Sequence, residues 1–186
     1  MKSIIKKLLR ESIYYHGAAL PKDNPTISNF ITKTGYRSNP MLQMQREVNS
    51  PWTFFTDSED LARKFGGAKV EGLYHDKGDF RYKAVVLKYD IDDTKLNILD
   101  LTIEGGAAVN GYEFALLKIG IDLSELYGVG GYDIDMMWEL LDDNDTTNII
   151  INAGYNAVKL IENGTGYNGT SLAILTKIVN NVIKQL

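Results

Sequence analysis

The chain has 186 residues, 44% of them hydrophobic and 24% charged, the composition of an ordinary globular domain and far from the low-hydrophobicity signature of disorder. Twenty Lys and Arg against twenty-four Asp and Glu leave a formal charge of -4, which supplies no general attraction to nucleic acid or to an anionic membrane. With no cysteine and only two histidines, His16 and His75, disulfides, iron–sulfur clusters, zinc–thiolate sites and a thiol nucleophile are excluded and a transition-metal centre is not expected.

Chemistry then has to rest on carboxylates, hydroxyls, a histidine or the backbone. Residues 1–11 (MKSIIKKLLRE) set Ile4, Ile5, Leu8 and Leu9 on one face of a helix, with Lys2, Lys6 and Arg10 opposite. Lys6 and Lys7 interrupt the apolar run that a signal peptide needs. No run approaches the roughly 20 apolar residues that span a bilayer. These features predict a soluble, cytoplasmic protein, with 1–11 an amphipathic helix docked on a single domain over 12–186; a membrane-surface or partner-binding helix is the alternative.

Ser12 to His16 (SIYYH) is rich in β-branched and aromatic residues and reads as a strand ending at Gly17. Residues 18–50 hold Pro21, Pro25 and Pro40 and read as loop, with a short helix near Thr26–Thr32. Trp52 to Thr56 is a second strand. Asp57 or Ser58 then caps a helix through Leu61, Ala62 and Phe65 that the Gly66-Gly67 pair stops, leaving 67–80 as a loop that carries His75.

Tyr82 to Ile91 (YKAVVLKYDI) is the clearest strand, and Asn97 to Leu101 a shorter one. Helices are expected at 110–119 and 134–142, separated by a turn with Gly128, Gly130 and Gly131. In the last third, Asp145 and Thr146 cap a helix through Ile149–Ile151 that Ala153-Gly154 ends; Tyr155–Ile161, a turn at 163–169 and Thr170–Leu175 form a hairpin; a helix over Ile178–Leu186 closes the chain. Strands and helices mix without regular βαβ alternation, so the expected class is α+β with largely antiparallel sheets.

Three stretches in this order, YHG at Tyr15–Gly17, FFTDSEDLARKF at Phe54–Phe65 and AGYNAVKLIENGTGYNGTSLAIL from Ala153, carry a resemblance to the ADP-ribosyltransferase fold. The likeness is to its His-Tyr-Glu branch, the diphtheria-toxin and poly(ADP-ribose) polymerase type, and to small phage and bacterial members that include anti-CRISPR proteins. It implies two packed, largely antiparallel sheets with flanking helices, and a mono-ADP-ribosyltransferase that moves ADP-ribose from NAD to a macromolecular acceptor, protein before nucleic acid, without a metal. A phage or bacterial effector acting in a host cytoplasm would fit that description.

By the same resemblance His16 bonds a hydroxyl of the adenosine-side ribose, and Gly17 holds the nicotinamide carboxamide through its backbone, where a missing Cβ allows close approach. Phe54 and Phe65 sandwich the nicotinamide ring, each stack contributing on the order of 1–3 kcal/mol, and Ala62 is the small residue facing that ring. Thr56 is expected to position the nicotinamide ribose, Ser171 and Thr170 to offer hydroxyl contacts, and Arg37 to reach the diphosphate.

The family's two ring-stacking tyrosines are both phenylalanine here, which keeps the π faces and drops the hydroxyls. Where its catalytic glutamate usually stands, this chain has Thr170-Ser171, and Glu162, at the end of the preceding strand, matches the acid of some anti-CRISPR members. Glycosidic cleavage in NAD builds an oxocarbenium-like charge. A carboxylate a few ångströms away stabilises that charge by roughly 4 kcal/mol at an effective dielectric constant near 20, about three orders of magnitude in rate.

Each residue also has a plainer role open to it: a buried histidine bonded to backbone, core phenylalanines, a solvated Glu162 opening a turn, a surface Arg37 and an exposed His75. At the level of the whole chain, the alternatives are an inactive version of the fold acting as a binding or virion structural protein, and an NAD glycohydrolase.

Overall fold

A computed structural model describes residues 12–22, 51–77, 81–102, 111–127, 138, 140–164 and 167–186. The chain is α+β, and its contacts divide it into two compact units, Met1–Lys95 with Ile174–Leu186, and Leu96–Ala173. The expected helix at 1–11, the loop with Thr26–Thr32 and most of 134–142 lie outside the described residues.

Within the first unit the strands run in the order β2 (Trp52–Thr56), β1 (Ser12–Pro21), β3 (Tyr82–Ile91), β7 (Ile183–Gln185). β1 and β3 are antiparallel along their whole length, from Ser12 opposite Ile91 to Pro21 opposite Tyr82. The strand expected to stop at His16 therefore runs on to Pro21, with Gly17 inside it. Helix α1, Glu59–Lys77, starts as expected: the Leu61 amide donates to Ser58 Oγ at 3.2 Å, and Glu59 and Asp60 in the first turn complement the helix dipole.

It does not stop at Gly66-Gly67. Helical glycine costs about 1 kcal/mol against alanine, and at Gly66 packing offsets this, because a Cβ there would lie 3.2 Å from the carbonyl oxygens of both Ala18 and Val85. The helix can thus lie flush on β1 and β3, and residues 67–77, expected as loop, are its second half. Ala18, Leu20, Trp52, Phe55, Leu87 and Ile91 form the buried centre of this unit.

The expected closing helix is also revised. After β6 (Tyr167–Leu175) come a 3-10 turn, Thr176–Ile178, the single helical turn α5, Val179–Val182, and then β7, whose Ile183 pairs with Ile91 of β3. An unpaired edge on a neighbouring strand outweighs the helical spacing of the tail.

The second unit carries β4 (Ile98–Asp100), β5 (Ala157–Gly164) and β6 in that order, with helices α2 (Gly111–Leu117), α3 (Leu123–Tyr127) and α4 (Asn144–Asn152). β4 and β5 are parallel, Leu99 opposite Val158, an exception to the antiparallel pairing expected from the sequence. The cap of α4 is Asp143, two positions before the expected one: its carboxylate accepts from the Thr146 amide at 2.7 Å. Gly154 ends that helix at φ 92°, a conformation that favours glycine. β5 and β6 extend into what was expected as a turn over 163–169.

Candidate functional site

Two strands and a helix of the first unit carry six of the residues singled out in the sequence. β1 supplies His16 and Gly17, β2 supplies Phe54 and Thr56, and α1 supplies Ala62 and Phe65. The strands meet antiparallel with Tyr15 opposite Thr56.

Alternation decides which face each side chain takes. A Cβ on Gly17 would overlap the Ala62 carbonyl oxygen and stand 2.6 Å from the Gly66 nitrogen, so that face of β1 carries α1. His16 therefore points to the other face, where its ring lies 5.7 Å from the ring of Phe55, which in turn meets Tyr89 edge-on at 5.6 Å. Thr56 opposes Tyr15, so alternation along β2 puts Phe54 on the α1 face, with Phe55 on the face of His16.

His16 is 5% exposed. Its Nδ1 is 2.7 Å from the Phe54 carbonyl oxygen; a carbonyl only accepts, so Nδ1 carries the hydrogen and Nε2 of the neutral ring is left as an acceptor. Nε2 makes no hydrogen bond among the described residues. Burial, reinforced by the positive Lys69 and partly countered by the Phe54 carbonyl, lowers the imidazole to about 3, so the ring is neutral at physiological pH. Burial likewise pushes the Tyr89 hydroxyl up to about 12.

Gly17 lacks a side chain because the helix backbone fills the space, which accounts for the residue without a ligand. Its carbonyl oxygen accepts from Lys69 Nζ at 2.6 Å. Thr56 is buried, and its Oγ1 accepts from the Ser58 amide at 3.2 Å, a local turn that leads into α1. Ala62 is fully buried, Phe54 half-buried, and Phe65 stands 37% exposed one turn beyond Ala62. The α1 face thus joins an aromatic strand residue, a helix without bulky side chains at Ala62 and Gly66, and an exposed helix aromatic.

The other candidates belong elsewhere. Glu162 lies on β5 of the second unit, with its side chain outside the described residues. Ser171, on β6, is 1% exposed, and its hydroxyl has no hydrogen-bond partner among the described residues; Thr170 beside it is half-buried. Arg37 falls outside the described residues, and His75 is in α1 with its side chain not described.

Sequence reasoning missed Phe55 as the neighbour of the imidazole and Tyr89 as the ring that Phe55 meets, although the period of two along β2 carried the signal for Phe55. It also missed Lys69, because 67–80 read as loop. Among the described residues no cluster of three or more His, Cys, Asp or Glu could hold a metal, and no helix is long and apolar enough to cross a membrane. Comparisons with protein-family models, with curated proteins and with solved structures found no match.

Proposed function

We propose that the chain is a mono-ADP-ribosyltransferase of the His-Tyr-Glu type, moving ADP-ribose from NAD to a macromolecular acceptor, protein before nucleic acid. The observation that carries this reading is the meeting of two of the three stretches behind the resemblance. His16 and Phe54, 38 positions apart, share a hydrogen bond of 2.7 Å, and Gly17 rests on Ala62 of the helix that carries Phe65.

In this reading the resemblance gives a ribose hydroxyl to Nε2 of His16, the carboxamide to the main chain of Gly17 and the nicotinamide ring to the π faces of Phe54 and Phe65. His16 faces away from α1 and is 5% exposed, so NAD reaches all four only after this region opens. The resemblance, not the geometry, gives polar contacts to Thr56, Ser171 and Arg37 and the oxocarbenium-stabilising carboxylate to Glu162. The glycosidic C–N bond breaks, nicotinamide leaves with the electron pair as a neutral molecule, and the acceptor's nucleophile bonds to the ribose carbon and gives up its proton. NAD is the substrate, and no metal is invoked.

Incubation with NAD labelled in its ADP-ribose part and a bacterial lysate tests this, the expected result being label on macromolecules. Free ADP-ribose with nicotinamide would identify a glycohydrolase instead. Glu162→Gln should lower turnover by about a thousandfold, the factor that a 4 kcal/mol charge stabilisation corresponds to, and His16→Ala should weaken NAD binding. Full activity in both variants would overturn these assignments. A second reading, an inactive fold used for binding, is favoured by Thr170-Ser171 standing where the family carries its acid; absence of any NAD turnover would support it.

A further inference from the structure

Two carbonyl groups of β1 and β2 accept hydrogen bonds from side chains. Continuing the β1–β2 register two residues past Tyr15 and Thr56 would set Gly17 opposite Phe54. There the Phe54 carbonyl accepts from His16 Nδ1 at 2.7 Å, and the Gly17 carbonyl accepts from Lys69 Nζ at 2.6 Å. Lys69 comes from α1, three positions beyond Gly66, whose flush packing on Ala18 and Val85 brings the helix close enough for a lysine stem to reach.

The Lys69 side chain is half-buried. A charge-assisted hydrogen bond from an ammonium is about twice as strong as one from a neutral amide. A ligand carboxamide that donates to the Gly17 lone pair that Lys69 occupies must displace the stronger donor already there. The pyridinium ring of NAD is itself cationic, so an ammonium left in place would also repel it.

We propose that Lys69 gates the Gly17 carbonyl: it closes that acceptor in the free protein, and a carboxamide-bearing ligand binds once the ammonium has withdrawn. The gate rests on the ADP-ribosyltransferase reading above. Apparent affinity is then the intrinsic affinity reduced by the open fraction, and Lys69 sets that fraction.

Calorimetric titration of the full chain with NAD, nicotinamide and ADP-ribose, which lacks the carboxamide, tests the gate on wild type, Lys69→Met and Lys69→Arg. Lys69→Met should bind NAD and nicotinamide about tenfold tighter, the scale expected when a charged hydrogen bond no longer competes, while ADP-ribose affinity stays at the wild-type value. Lys69→Arg, which keeps a cationic donor, should behave as wild type.

Wild-type binding of NAD with no gain in Lys69→Met, or an equal gain for ADP-ribose, overturns the gate and leaves the enzyme reading standing. No binding of NAD or ADP-ribose by any of the proteins overturns both. Should Lys69→Met fail to fold, the ammonium signal of Lys69 in nitrogen-15 NMR of the wild type decides. The gate requires the slowly exchanging signal to be lost on saturation with NAD, and a signal unchanged in the complex overturns it.

Discussion

His16 shows what a single side chain contributes before any ligand is considered. It is neutral and sealed to 5% exposure, with Nδ1 committed to the Phe54 carbonyl and its pKa lowered to about 3 by burial first and Lys69 second. An unfolded histidine takes up its proton near pH 6.5. Between about pH 6.5 and 3 the unfolded chain therefore binds a proton that the folded one refuses, and stability falls as pH falls, by up to about 1.4 kcal/mol per pH unit. Urea unfolding of wild type and His16→Gln between pH 4 and 6 should show a shallower dependence in the variant, by about that slope; comparing the two cancels the carboxylates that titrate in the same range. Ser171 makes the opposite case. Its buried hydroxyl has no partner among the described residues, so Ser171→Ala should leave stability unchanged or raise it by about 1 kcal/mol, read from the same unfolding curves. The sequence marked both positions by their neighbours, yet neither the tautomer of one nor the orphaned oxygen of the other follows from residue type, because each depends on what faces the side chain.

At the scale of elements, glycines on one strand and one helix have different physical reasons. Gly17 has no room for a methyl group, since a Cβ would overlap the Ala62 carbonyl, so Gly17→Ala should cost about 1–3 kcal/mol or more through overpacking. Gly67 meets nothing within 4 Å and lies inside α1, so Gly67→Ala should stabilise by up to about 1 kcal/mol through helix propensity. Guanidinium midpoints of the two variants, moving in opposite directions, check the account. β2 and β3 were legible because aromatic and β-branched runs bounded by turn residues suit a pleated surface whatever packs on it. The extent of β1 and α1 was not legible, because glycine reads locally as a stop and only the flush strand–helix contact makes it a mid-element residue. The closing strand β7 was hidden for a related reason: three residues, Ile183–Gln185, gain their conformation from the edge of β3 rather than from their own periodicity.

For the molecule as a whole, composition and the absence of regular βαβ alternation were enough to give the α+β class, which is set by the order of elements. They did not reveal the parallel pairing of Leu99 with Val158, since strand direction depends on long-range connection. Of the candidate residues, the sequence already set six on what are three neighbouring elements of the first unit. The His-Gly and Phe-Phe motifs are neighbours in the first unit, where Gly17 rests on Ala62 and His16 bonds the Phe54 carbonyl from the opposite face of the sheet, whereas Arg37 lies outside the described residues and Glu162 is described only in its backbone. With no cysteine and only two histidines, any NAD turnover should be indifferent to chelation: EDTA ought to leave labelling at its untreated level, and a loss reversed by added divalent cation would contradict the metal-free chemistry.

The seam where Gly17 meets Ala62 and Gly66 is built from main-chain atoms alone, and this limits how the protein can be retuned. Randomising positions 17 and 66 in a directed-evolution library would yield mostly misfolded clones and no new preference. Diversity placed at Phe54, Phe65 and Lys69 would test the proposed site on a scaffold that stays intact.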